Sequence, residues 1–292
     1  MKKPLTYIFS LIISVFTVFA IIGTISLSVV KISVSESAAI KNIEKKHVSD
    51  LVYSQLEKYY NEKYYSSGIP ADVYMGALKD DVIEDNMKFR IKSAFQRKEF
   101  SYEDMDFSGI ENNLEKFFGS YAEENGIEKD EKYTERLDNA KDNAKKIISD
   151  YCDVYKIGTL KSQGLLDKLY KACDMLKTAF NAVLAAAAAL VVLLILFNIK
   201  EISTSFYWLG ISLIISGIIG CAPCIYLLSS DYFSSFTIKQ PQIYMTYTCA
   251  LSGMTKYFML LSAAAAVSGV LSLVIYAVIA AKKRNYNPKV IK

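Results

Sequence analysis

Histidine is nearly missing from this chain: His47 is the only one in 292 residues. That closes several routes to chemistry. A His-rich zinc site cannot be built from one imidazole, and His47 has no cysteine nearby in sequence to complete a mixed ligand set. A Ser-His-Asp triad would rest wholly on this residue, and no Gly-x-Ser-x-Gly elbow accompanies it. His47 sits among Lys and Glu, so a solvated or half-buried imidazole is its expected state. Apolar/polar alternation of strand length is also lacking, as are internal repeats and low-complexity tracts other than one alanine run. An all-α chain is expected.

Charge is absent in a second, more informative way. Residues 4–30, 178–199, 202–230 and 257–281 carry no Asp, Glu, Lys or Arg. A helix needs about 20 apolar residues to cross the hydrocarbon core of a bilayer. All four runs pass, which predicts four transmembrane helices: one within residues 1–30, and three at about 178–199, 206–228 and 257–281. The first run is much longer than the apolar stretch of a cleaved signal peptide, and no small-x-small site ends it. It is therefore expected to be an uncleaved anchor; cleavage would leave three spans.

Lysine and arginine set the orientation. Lys2, Lys3, Lys200, Lys282, Lys283, Arg284, Lys289 and Lys292 all fall on one side if the four runs span. The connection after the third run offers only Lys239 and Lys256. The richer side is expected to be cytoplasmic, with both termini inside and residues 31–177 outside. Segment 31–177 has more acid than base, so the net +4 of the chain comes from its cytoplasmic ends and does not signal nucleic acid. The basic tail, residues 282–292, reads as a positive-inside anchor that meets anionic headgroups.

The outer segment is long enough for its own core. Ile40, Ile43, Val48, Leu51, Val52, Leu56, Tyr59 and Tyr60 recur at helical spacing. Gly68 and Pro70 break the pattern. A second helix is expected over 71–97, and a third from Ser108, capped by that residue with Glu111 three places on, to Gly126. A fourth is expected over 130–155. The fifth starts near Leu165 and runs into the second span, and the opening outer helix is expected to continue the first.

Few side chains in this pattern suggest chemistry. Asp80, Asp81, Glu84 and Asp85 cluster on one helix, a Ca²⁺-compatible set, but no ligand-bearing loop accompanies them and Lys88 pairs with Glu84 at i,i+4. A charged solvent face is the default. Tyr59, Tyr60, Tyr64 and Tyr65 can form a partner-binding surface or a helix-packing seam. The spans hold no ionisable side chain of the kind that marks proton relays and ion pathways. They hold small residues instead: Ala185 to Ala189, then Gly210, Ser216, Gly217 and Gly220, then Ala263 to Ala266, Ser268 and Gly269. These let membrane helices approach closely, within one chain or between chains.

One outer domain after the first span, followed by three closely spaced spans, resembles in topology the FtsX/MacB class of ABC-transporter permease. That resemblance implies a permease-like or transporter-associated component with a cytoplasmic coupling segment. Here only "NIKEISTS" joins the second and third spans, and the outer segment reads as helical where that class has strands. The layout is also similar to uncharacterised multi-pass membrane proteins of Gram-positive bacteria. Cys221 and Cys224, in "GCAPC" on the third run, resemble the Cys-x-x-Cys of membrane thiol oxidoreductases of the DsbB and vitamin K epoxide reductase type. This implies a redox pair supplied by outer cysteines, for which Cys249, Cys152 and Cys173 are available. Against it, the pair lies in the C-terminal part of its helix, away from the dipole end that activates a thiolate. Buried thiols beside a proline kink are the alternative. Cys152 and Cys173 flank "KIGTLKSQG" and can form a disulfide if an antiparallel helix pair aligns them.

The expectation is a multi-pass plasma-membrane protein that binds, senses, scaffolds or serves in a membrane complex, with no cofactor and no catalytic group assigned. Its partners are the lipid bilayer, proteins met by the outer domain, and further copies of itself or other subunits.

Overall fold

The computed structural model describes residues 3–286, and the side chains of that range except those of residues 3, 4, 80 and 284–286. Most of the basic tail and Lys2 thus lie outside the described residues. Every regular element among those described is helical. In chain order they are α1 (Lys3–Ser33), α2 (Glu36–Lys45), α3 (Val48–Ser67), α4 (Ala71–Met75), α5 (Asp80–Phe95), α6 (Ser108–Asn125), α7 (Glu131–Cys152), α8 (Ile157–Ser162), α9 (Leu165–Phe197), α10 (Ile202–Ser229) and α11 (Pro241–Tyr286). The chain divides into two compact units. One, the span unit, comprises Met1–Ser33, Lys168–Ser235 and Leu251–Lys292; the other, the helical domain, comprises Val34–Asp167 and Phe236–Ala250.

Among the described residues four helices are long and apolar enough to cross a membrane: Leu5–Ser33, Leu165–Phe197, Ile199–Ser229 and Pro241–Lys283. The first and third lie wholly in the span unit, the second from Lys168 on and the fourth from Leu251 on. Hydroxyls tie α1 to α10. Ser14 and Ser212 lie 2.7 Å apart, and Ser216 Oγ reaches the Val18 carbonyl at 3.3 Å. Asn198, just after α9, donates through Nδ2 to Ser10 Oγ at 3.0 Å. In an apolar setting such groups need a partner, and backbone carbonyls supply it when side chains do not.

Glycine decides how α10 meets α11. A Cβ at Gly217 would fall 2.6 Å from Ala266 Cβ and from the Ser262 carbonyl, and one at Gly269 would fall 2.7 Å from the Gly210 carbonyl. The small-residue reading therefore holds for these two helices. The α9 alanines behave differently: Ala185, Ala186, Ala188 and Ala189 are exposed.

The helical domain is built on four-residue spacing. Val48, Val52, Leu56 and Tyr60 form the buried stripe of α3; Ile83, Met87 and Ile91 that of α5; Ile110 and Leu114 that of α6; Ala144, Ile148 and Cys152 that of α7. This period puts each set on one helix face, and the faces share one core. Charged pairs staple the outside. Lys141 meets Glu115 at 2.6 Å and Lys145 pairs with Glu111, both joining α6 to α7. Lys88 bridges Glu44 of α2 at 2.8 Å and Glu84 at 2.6 Å.

Several boundaries differ from expectation. The first outer helix does not continue α1: Ser35 is extended, and its Oγ accepts from the Ala38 amide at 3.2 Å, starting α2 afresh. The long helix expected over Ile40–Tyr60 breaks at His47, which is exposed and left-handed (φ 46°). The expected 71–97 helix stops at Met75 and restarts at Asp80, with Gly76 in the break, where helix propensity is poor. Ser108 does not cap α6. Phe107 occupies the cap position, Asp106 accepts from the Ser108 amide and hydroxyl, and Glu111 is taken by Lys145. The capping box lies earlier, at Ser101 and Asp104. Two expectations are matched closely: Gly126 ends α6 in the left-handed region, and α9 runs unbroken from Leu165. The connection after α10 is shorter than expected because α11 already begins at Pro241, a residue pre-set for the first helical turn.

Candidate functional site

The tyrosine cluster proves to be both seam and surface. Tyr60 points into the core and stacks on Tyr74 of α4, with ring centroids 3.9 Å apart and planes 9° from parallel. Tyr59 packs edge-on to Tyr60 and tilts against Tyr151. Tyr65, five residues beyond Tyr60, is 94% exposed. Between these extremes a cleft of about 750 Å³ opens among α3, α4, α6 and α7. Gly68 makes its geometry feasible, because it ends α3 at φ 69°, a conformation glycine adopts without strain. Phe117, Phe118 and Tyr121 supply a second aromatic wall, and Asn139 and Asn143, four residues apart on α7, supply amides.

The Tyr60 hydroxyl is the chemically notable group of this cleft. It is buried and has no hydrogen-bond partner. Burial pushes the Tyr74 phenol up to about 12 and moves Tyr60 in the same direction, so both stay neutral donors at physiological pH. An aromatic cleft with a free phenolic donor and two amides can bind a ligand. It presents no nucleophile paired with a base.

A second site joins α5 to the α7–α8 corner. Arg90 donates through Nη1 to the Ser149 carbonyl at 3.0 Å and hydroxyl at 2.9 Å, and through Nη2 to Asp153 Oδ2 at 2.9 Å. Its guanidinium carbon lies 4.4 Å from the Phe100 ring centroid. Asp153 also accepts from the Ile157 and Gly158 amides, at 2.7 and 2.8 Å. Neither residue stood out by sequence pattern. The available signal was a charge embedded in apolar neighbours: Arg90 lies between Phe89 and Ile91, and Asp153 between Cys152 and Val154.

The remaining candidates are dispersed. Of the acidic cluster, Glu84 is held by Lys88, Asp81 accepts from the Val82 amide, and Asp85 is exposed; the Asp80 side chain is outside the described residues. Among the described residues no group of three His, Cys, Asp or Glu side chains is placed to hold a metal ion. Cys152 and Cys173 are both free thiols, and burial pushes the Cys152 thiol up to about 12. Cys221 donates toward the Met259 carbonyl at 3.6 Å, and Cys224 is buried. Pro223 lies inside α10, where its missing N–H leaves the Ile219 carbonyl without its helical donor. Cys249 belongs to the helical domain and points its thiol to Asn42 Oδ1 at 3.8 Å.

No protein-family model matches the chain, and no curated protein or solved structure is significantly similar to it.

Proposed function

We propose that this is a multi-pass plasma-membrane protein with both termini in the cytoplasm, whose helical domain faces outward and works by binding rather than catalysis. The orientation is supported by Lys2, Lys3, Lys200 and the basic residues after the fourth run. Binding is supported by one observation above the others: the aromatic cleft holds a buried phenolic donor, Tyr60, with nothing bonded to it. A ligand or partner segment that offers an acceptor to that hydroxyl and a flat face to the surrounding rings completes the cleft.

Two measurements test this reading. In a variant lacking the five native cysteines, Tyr65→Cys should react with a membrane-impermeant maleimide on intact cells; reaction only after lysis overturns the orientation. A photo-crosslinking side chain at Tyr121 should give a discrete adduct in intact membranes, weakened by Tyr60→Phe. Correct outward labelling with no such adduct overturns the binding role.

A further inference from the structure

The helical domain has a second recess, separate from the aromatic cleft, with a volume of about 540 Å³. Its wall is made by Arg90 of α5, by Asp150, Asp153 and Lys156 at the α7–α8 corner, and by Gln242 in the first turn of α11. The volume suits one small molecule.

Two buried polar atoms of the recess residues have no partner. Arg90 Nε is a donor without an acceptor, on a residue 7% exposed. Gln242 Oε1 is an acceptor without a donor, on a residue 2% exposed. Folded proteins leave few such atoms unpaired, and each one needs an explanation. Here one asks for an acceptor and the other for a donor, so a single ligand that completes both must carry both.

Charge narrows the class further. The Asp153 carboxylate is already occupied by Arg90 and by the Ile157 and Gly158 amides. The buried pair therefore cancels its own charge. What remains at the recess is one acid, Asp150, and one base, Lys156, both with solvent access. A simple anion would suit Lys156 and Arg90 Nε but would face Asp150 and leave Gln242 Oε1 unmet. A simple cation would suit Asp150 and Gln242 Oε1 and leave the other two groups unmet. A molecule with an ammonium and a carboxylate answers all four.

We infer that this recess binds a small zwitterion of the size and charge pattern of a free α-amino acid. The ammonium donates to Gln242 Oε1 and faces Asp150; the carboxylate accepts from Arg90 Nε and faces Lys156. This inference depends neither on the aromatic cleft nor on which side of the membrane the domain faces.

The test uses the full chain in lipid nanodiscs, titrated calorimetrically with each of the common amino acids separately, and with propionate, ethylamine and glycerol. At least one amino acid should bind saturably, and the three partial mimics should not. Asp150→Asn and Lys156→Met change exposed or half-exposed groups that the fold does not use, and each should weaken binding about tenfold or more, the scale of one charge-assisted hydrogen bond. Gln242→Leu should weaken it likewise while leaving the thermal midpoint unchanged or raised. Tyr60→Phe, in the other cleft, should leave amino-acid binding as it was. No saturable binding by any amino acid, as for a recess that holds only water, overturns the inference. So does equal binding of propionate, ethylamine or glycerol.

Discussion

Arg90 Nη2 lies 2.9 Å from Asp153 Oδ2, and both side chains are more than nine-tenths enclosed. The pair links α5 to the corner where α7 gives way to α8, and both charges are largely withdrawn from solvent. Removing two ions from water is expensive, and this is compensated only where every remaining donor and acceptor is engaged. Asp153 meets that condition through two backbone amides. Arg90 meets it except at Nε.

Breaking the pair from one side should therefore be severe. Arg90→Ala strands a carboxylate in the interior and should cost about 3–5 kcal/mol. Arg90→Met combined with Asp153→Asn removes both charges and keeps a carbonyl acceptor for the α8 amides, so it should recover part of the loss. Thermal unfolding of the purified chain, followed by far-UV circular dichroism, checks the order: wild type, then the double variant, then Arg90→Ala. A double variant no more stable than Arg90→Ala would show that the charge left behind is not what destabilises it.

Gly158 is the close neighbour of this pair. A Cβ there would lie 2.8 Å from Arg90 Nη2 and 3.1 Å from Asp153 Oδ2. Gly158→Ala should cost about 1–3 kcal/mol by forcing the ion pair apart, the usual range for overpacking. The same measurement in the Arg90→Met, Asp153→Asn background should show a smaller penalty, because the ion pair it disturbs is gone.

Alkali should destabilise the helical domain over a defined window. Burial raises the Cys152 thiol from 9.0 to about 12, and the Tyr74 and Tyr155 phenols from 10.0 to about 12. In the unfolded chain these groups lose protons at lower pH than in the folded one. Their contribution is intact below pH 9.0 and is lost as pH rises toward about 12. The unfolding midpoint should fall steadily as pH is raised through this window, and Cys152→Ala should make the fall shallower. In folded protein at neutral pH, Cys152 should resist maleimide, in contrast to an engineered Cys at the exposed Tyr65 position.

Much of this domain was legible from local pattern. The helical spacing of Val48, Val52, Leu56 and Tyr60 marked the buried face of α3, and Gly126 marked the end of α6. What escaped was set by distant contacts. Nothing near His47 announces a left-handed non-glycine residue; the packing of α2 and α3 into a shared core imposes it. Ser108 had the local credentials of a cap and lost the role because Phe107 holds the cap position, while the Ser108 hydroxyl donates to Asp106. The Arg90–Asp153 contact joins positions 63 residues apart. Sequence periodicity reports which face is buried and says nothing about which two buried charges meet. Likewise, the tyrosine cluster was visible, but only the fold separates buried Tyr60 from exposed Tyr65.

Tyr60→Phe offers a test of the cleft that needs no ligand. The substitution removes a hydroxyl with no partner and keeps the ring stacked on Tyr74. It should leave stability unchanged or raise it by about 1 kcal/mol, since an unmet buried donor is a cost. A loss of more than that would mean the hydroxyl is bonded in the free protein, and the cleft would then lack its open donor.

Within the span unit, shape should outweigh hydrogen bonding. Gly217→Leu places a side chain where Ala266 and the Ser262 carbonyl already stand, and should lower the thermal midpoint in detergent sharply. Ser212→Ala removes the contact to Ser14 and should cost only about 0.6–2 kcal/mol, the range for polar contacts between membrane helices. An equal effect from the two changes would contradict shape outweighing hydrogen bonding in the span unit.

The helical domain is not a single stretch of chain. Phe236–Ala250 belongs to it, bringing buried Gln242 and Ile243, the Tyr247 hydroxyl bonded to the Tyr155 carbonyl at 2.9 Å, and the Cys249 thiol near Asn42. During synthesis, Val34–Asp167 emerges first and then waits for its last piece. That piece follows two of the long apolar helices, α9 and α10. Completion of the domain is thus timed by biosynthesis: its last segment can join only after the chain has been made to residue 250. A truncated message ending before Phe236 should yield a membrane-bound product whose domain is open to protease.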